Sequence, residues 1–123
     1  MRLRSFKLRF FDTHVRIVPA TDVRGCAFAG PFVDLRGDDA MQVLSAASRI
    51  VGWFTAREPG ARLRTFSIDL DTGRALATIE STVRPRVIES RGDAELRAAA
   101  DALCPLLCAL AAAALAKRVQ TTG

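Results

Sequence analysis

LRTFSIDLDTGRALATIESTV, residues 63–83, carries the reading on which the fold depends. Leu63 to Leu70 alternates, with Phe66, Ile68 and Leu70 on one face, and Ala75 to Val83 places Ala77, Ile79 and Val83 on one side. A period of two is the mark of a half-buried strand. The linker Asp71-Thr72-Gly73-Arg74 contains a glycine, which supplies the positive φ that a hairpin turn demands. Two strands joined so tightly are antiparallel neighbours, and their single apolar face needs a covering layer.

The chain upstream repeats the pattern. Phe6, Leu8 and Phe10 alternate with Ser5, Lys7 and Arg9; Asp12-Thr13 is a tight turn, and Val15 and Ile17 resume the alternation up to Pro19. Cys26 to Leu35 reads as a third extended run, interrupted at Gly30-Pro31 as an edge strand, bulge or bent loop would be. Asp39 to Glu58 is a helix, with Ala40, Val43, Leu44, Ala47, Ile50, Val51 and Phe54 at the 3.6-residue period. Asp39 and Gln42 form a capping box, Asp38 suits the helix dipole, and Pro59-Gly60 ends the helix. After Pro85, Arg86 to Ser90 is a short further strand. Asp93 then caps a second helix running to about Arg118, which Pro105 should kink or split. The expected fold is one α+β domain over residues 1–123. It is a two-layer sandwich in the order β-β-(β)-α-β-β-(β)-α, with an antiparallel sheet of four to six strands and two long helices on one face.

Composition agrees. The 123 residues are 50% hydrophobic and 25% charged, which excludes a disordered, collagen-like or disulfide-stapled chain. Three cysteines, Cys26, Cys104 and Cys108, are an odd number, and two fall in a helical pattern, so a disulfide framework is not expected. No signal peptide is read. The longest uncharged run, Ala102 to Ala116, spans roughly 22 Å as a helix against a hydrocarbon layer of ~30 Å. The expectation is a reduced, cytoplasmic protein with no membrane partner.

The helices carry stripes of small residues. Ser45, Ser48, Gly52 and Ala56 lie along the first; Ala98, Ala102, Pro105, Ala109, Ala112 and Ala116 lie along the second, away from Leu96, Leu103, Leu107 and Leu110. A mid-helix glycine costs about 1 kcal/mol relative to alanine, so Gly52 suggests a close neighbour. A helix with one large apolar face and one alanine face has more to bury than a single sheet covers. The alanine face is therefore expected against the first helix, a second copy of the chain, or both. A homodimer through Ala98, Ala102, Ala109, Ala112 and Ala116 is the expected assembly.

Net charge is +5, distributed as +4 over residues 1–37, −1 over 38–60, +2 over 61–91 and zero beyond, so the excess lies on the strands. Lys7, Arg9, Arg16, Arg62 and Arg64 should share the sheet face away from the helices. From this follows the leading functional expectation, a non-catalytic homodimeric module that engages an acidic protein or anionic ligand. Nucleic acid is a further class of partner that no motif supports. The plainer account is a solvated face whose charges discourage aggregation.

Chemistry-bearing residues do not converge. His14, the sole histidine, follows Asp12 by two residues and could touch it as a general base would, although a turn histidine is commonly a surface group. The three cysteines with His14 match no common zinc spacing, and neither a metal nor a cofactor is expected. Asp69 and Asp71 flank a hairpin turn, where aspartate bonds its own backbone. Trp53 beside Gly52 is a core residue or the wall of a pocket between sheet and helices, which defines the alternative of a small-molecule-binding protein or small enzyme.

Overall fold

The computed structural model describes residues 5–19, 32–80 and 84–122. Within them the chain forms β1 (Ser5–Phe10), β2 (Val15–Pro19), β3 (Val33–Leu35), α1 (Gly37–Ala46), α2 (Ser48–Arg57), β4 (Arg62–Asp69), β5 (Arg74–Glu80), β6 (Arg86–Arg91) and α3 (Ala94–Thr122). All strand pairs are antiparallel, in the order β3-β2-β1-β4-β5-β6. The fold is an α+β two-layer sandwich.

The hairpin of β4 and β5 forms at its expected turn. Gly73 sits at φ +75°, and its N–H donates to the Asp69 carbonyl at 2.7 Å. A Cβ there would stand 3.4 Å from the backbone of Gly92, an ordinary contact, so it is the positive φ that calls for glycine. The Asp12-Thr13 turn is two residues long, closed by the Phe11 N–H on the His14 carbonyl at 3.0 Å.

Alternation then sorts the faces. Phe6, Leu8, Val15, Ile17, Val33, Leu35, Leu63, Phe66, Ile68, Ala75, Ala77 and Ile79 are buried beneath the helices. A β-bulge between Leu63 and Thr65 places Arg62, Arg64 and Thr65 outside that core while Leu63 stays within it. Three rings tie the layers together: Phe54 of α2 meets Phe66 of β4 edge-on at 5.9 Å, and Phe66 meets Phe6 of β1 at 6.1 Å.

The structure departs from the sequence expectations at several points. The first helix is two helices, divided at Ala47 (φ −84°, ψ 3°), although the buried stripe Ala40, Val43, Ala47, Ile50 and Phe54 runs through the break. The break falls on the buried side, so both halves keep contact with the core. The Asp39–Gln42 capping box does not form. Arg36 is the N-cap and makes no side-chain cap bond, because Gly37, at φ +60°, turns the chain from β3 directly into α1. Asp38 and Asp39 remain in the first turn, where their charge suits the dipole. Leu44, expected in the core, is 40% exposed. Of the run from Cys26 to Leu35, only Val33–Leu35 is seen as strand; Cys26, Gly30 and Pro31, like Val83, lie outside the described residues.

Asp93 does cap α3, accepting the Leu96 N–H at 2.9 Å. Pro105 neither splits nor ends that helix. It stands on the exposed side, where a missing backbone bond is least costly. Leu96, Ala99, Ala100, Leu103, Cys104, Leu107, Leu110 and Ala111 face the core. Over Ala94–Ala114 α3 is long and apolar enough to cross a membrane by length and composition, and 44% of that stretch is buried inside this fold. The small-residue stripes do not meet. Ala98, Ala102, Ala109, Ala112 and Ala116 are exposed, as are Ser45, Ser48, Gly52 and Ala56, and among the described residues nothing lies within 4 Å of a Cβ built on Gly52. The expectation that helix one covers the alanine face is thus corrected, because α3 turns its leucine side to the rest of the chain.

Candidate functional site on the open sheet face

Antiparallel pairing assembles the outward side chains into rows. Lys7 stands between Val18 and Ser67, and Ser67 is followed by Leu76 and Glu89. In the next row Asp34, Arg16, Arg9, Thr65, Thr78 and Val87 succeed one another. The five predicted cations do share this side of the sheet, but they are not equivalent. Arg16 grips Asp34 through Nε at 2.8 Å and Nη2 at 3.2 Å. Arg62 bonds Asp12 at 2.6 Å, and Arg64 bonds Glu80 at 2.5 Å with Asp12 4.0 Å away. Further along, Glu89 holds both Arg74 and Arg91. Among the described residues no carboxylate pairs with Lys7 or Arg9, and both are exposed. These two carry the unbalanced charge of the face, beside the hydroxyls of Thr65 and Ser67.

The electrostatics follow the pairing. The Arg16 guanidinium bonded to Asp34 holds that carboxyl below the usual carboxylate range, and Asp34 in turn raises the Arg16 pKa. Bonds from Arg91 and then Arg74 lower Glu89 in the same way. Arg16 also lies 3.9 Å from the centre of the Phe32 ring and 5.2 Å from that of Phe11, while Arg9 lies 5.0 Å from Phe11. Guanidinium groups stack readily on aromatic faces, so these rings hold Arg9 and Arg16 side by side despite their like charge. Neither Phe11 nor Phe32 was singled out in the sequence. Phe11 falls one residue past the alternating strand, where it continues the outward series of Lys7 and Arg9.

His14 and Asp12 are not partners. Asp12 turns to Arg62, whereas the His14 ring stacks on Phe11 at 4.4 Å, bonds Thr13 through Nδ1 at 2.9 Å and points Nε2 toward Asp34 Oδ2 at 3.8 Å. The turn sends the two side chains in different directions, which their spacing could not reveal. Trp53 is partly buried against the core beneath the Arg57 guanidinium, 3.5 Å from its ring centre, and meets Phe54 edge-on at 4.8 Å. A cleft of about 350 Å³ does exist, but between the β1–β2 turn and α1, and Trp53 does not line it. Among the described residues no group of His, Cys, Asp or Glu could hold a metal ion. Asp69 bonds the Asp71 N–H at 2.9 Å, the local turn role, and the Cys104 thiol donates to the Ala100 carbonyl.

Comparison with protein-family models, with curated proteins and with solved structures gave no match for this chain.

Proposed function

We propose that this protein is a non-catalytic, self-associating binding module whose open sheet face holds an acidic partner. The observation that carries the reading is the pair Lys7 and Arg9, unbalanced on a face whose other arginines are matched to carboxylates. Their rows offer hydroxyl groups from Thr65, Ser67 and Thr78 as neutral hydrogen-bonding neighbours, so an incoming carboxylate finds donors without displacing an internal ion pair. An acidic protein is favoured over nucleic acid because Phe11 and Phe32, the rings at this end of the face, are engaged by guanidinium groups and are not bare platforms for bases.

The test is binding of fluorescent poly-L-glutamate and of a single-stranded oligonucleotide, followed by anisotropy at rising salt. Poly-L-glutamate should bind, and Lys7→Glu/Arg9→Glu should abolish the signal, whereas Arg91→Glu should change it little. Absence of binding, or indifference to the double reversal, would refute the proposal. Tighter binding of the oligonucleotide than of poly-L-glutamate would transfer the face to nucleic acid, with the salt slope falling by about one for each phosphate contact removed.

Self-association is the second half of the proposal. Both small-residue stripes are exposed, and a two-fold contact between alanine faces lets helices approach closely. Sedimentation at tens of micromolar should give a dimer that Ala109→Arg dissociates. A monomeric wild-type chain would remove this half while leaving the sheet face untouched.

A further inference from the structure

The cleft between the β1–β2 turn and α1 differs in chemistry from the rest of the surface. Its volume of about 350 Å³ is at the small end of ligand pockets. Three large hydrophobic side chains are exposed among the described residues, Met41 at 63%, Leu44 at 40% and Val87 at 69%, and two of the three stand on this one wall. Phe11 and Val15 supply apolar surface opposite them. Single exposed apolar residues are ordinary, but two lining one concavity mark a place where apolar surface is to be covered.

The polar lining is one-sided. Asp12, Thr13, His14 and Asp38 contribute, and no lysine or arginine does, in a chain whose net charge is +5. Asp12 is already bonded to Arg62, but Asp38 has no ion-pair partner among the described residues. From the β1–β2 turn, on the other wall, His14 Nε2 is buried without a hydrogen-bond partner, 3.8 Å from the Asp34 carboxylate. Asp12 is held by Arg62, so Asp38 is the carboxylate left to face a ligand and disfavours an anion, and five apolar residues leave a small inorganic ion little to bind. We infer that this cleft is a separate site for a compact organic cation, an apolar or aromatic body of roughly ten heavy atoms carrying a protonated amine. The body covers Met41 and Leu44, and the ammonium group lies toward Asp38.

Phenethylamine is a suitable probe, with 2-phenylethanol and 3-phenylpropionate as neutral and anionic controls of similar size, each titrated into the ¹⁵N-labelled chain and followed by amide shifts. The amine should perturb residues 11–15 and 37–44 and bind about threefold to fivefold more tightly than the alcohol, the range expected of one partly exposed ion pair. The propionate should bind most weakly. Asp38→Asn should bring the amine down to the affinity of the alcohol, and Met41→Ala/Leu44→Ala should weaken both. The inference fails if the amine leaves those amides unmoved at about 10 mM, near the weak limit of measurable affinity. It fails equally if the propionate binds as well as the amine, or if Asp38→Asn leaves the preference intact. Because the double variant changes exposed side chains, an unchanged thermal melt separates lost binding from lost folding.

Discussion

Replacing Phe54 by alanine tests the contact that docks the helices on the sheet. The ring is completely buried, sits edge-on to Phe66 at 5.9 Å and 64°, and through Phe66 connects to Phe6 on the central pair β1–β4. Truncation removes the transfer free energy of the ring and leaves a cavity that a tightly packed interior only partly closes, together about 3–5 kcal/mol. Loss of the aromatic pairing accounts for about 0.5–1.5 kcal/mol of this. For a domain of this size 1 kcal/mol corresponds to roughly 4 °C in Tm, so the midpoint should fall by about 12–20 °C. Urea denaturation followed by tryptophan fluorescence is a convenient assay, since Trp53 adjoins Phe54. Marginal stability could leave Phe54→Ala unfolded, so Phe54→Leu, expected to cost about 1.5 kcal/mol or less, provides the graded measurement. A Phe54→Ala loss below about 1.5 kcal/mol, half the least expected of a buried phenylalanine, would mean that α2 is not docked on β4 as described.

Glycine substitutions should separate two positions. Gly73→Ala puts a Cβ on a backbone at φ +75° and should cost about 1–2 kcal/mol. Gly52→Ala, on an exposed helix face with open space around it, should raise the melting temperature by the equivalent of about 0.5–1 kcal/mol; a loss there would reveal a neighbour at that face. Acid titration should expose the Arg16–Asp34 pair. Because the folded-state pKa of Asp34 is lowered, the unfolded chain binds more protons in that range, so the pair stabilises above the unfolded value of about 3.9 and is lost as pH falls through the lower folded value. Asp34→Asn should flatten that part of the stability–pH curve measured by urea unfolding, and an unchanged curve would contradict the assignment.

What the sequence could convey was whatever depends on neighbours along the chain. Alternation in Phe6–Phe10 and Phe66–Leu70, the glycine at 73 and the aspartate cap at 93 are local signals, and the corresponding strands, turn and cap formed where expected. The division at Ala47 was not legible, since the apolar spacing passes through it without a fault and only the backbone angles register the bend. The stripes misled for a related reason. A line of small residues on a helix is equally consistent with a close neighbour and with bare solvent. Gly52 and the alanines of α3 have no neighbour among the described residues because the leucine face of α3 and the stripe from Ala40 to Phe54 already complete the core.

The charge of the sheet face presents the same difficulty in sharper form. Counting basic residues on strands placed Lys7, Arg9, Arg16, Arg62 and Arg64 together correctly, yet could not say which of them are neutralised. Asp12 and Arg62 are 50 positions apart, Arg16 and Asp34 18 apart, and Arg64 and Glu80 16 apart, so each pairing is fixed by strand order and register. Once β1 lies between β2 and β4, Lys7 and Arg9 acquire Val18, Arg16, Thr65 and Ser67 as cross-strand neighbours, none of them acidic. A shift of one residue in the β1–β4 register would turn Lys7 and Arg9 toward the core. The buried side of β1 therefore fixes where the unbalanced charge appears, and the apolar alternation of Phe6, Leu8 and Phe10 is as much a determinant of the candidate site as the two cations themselves.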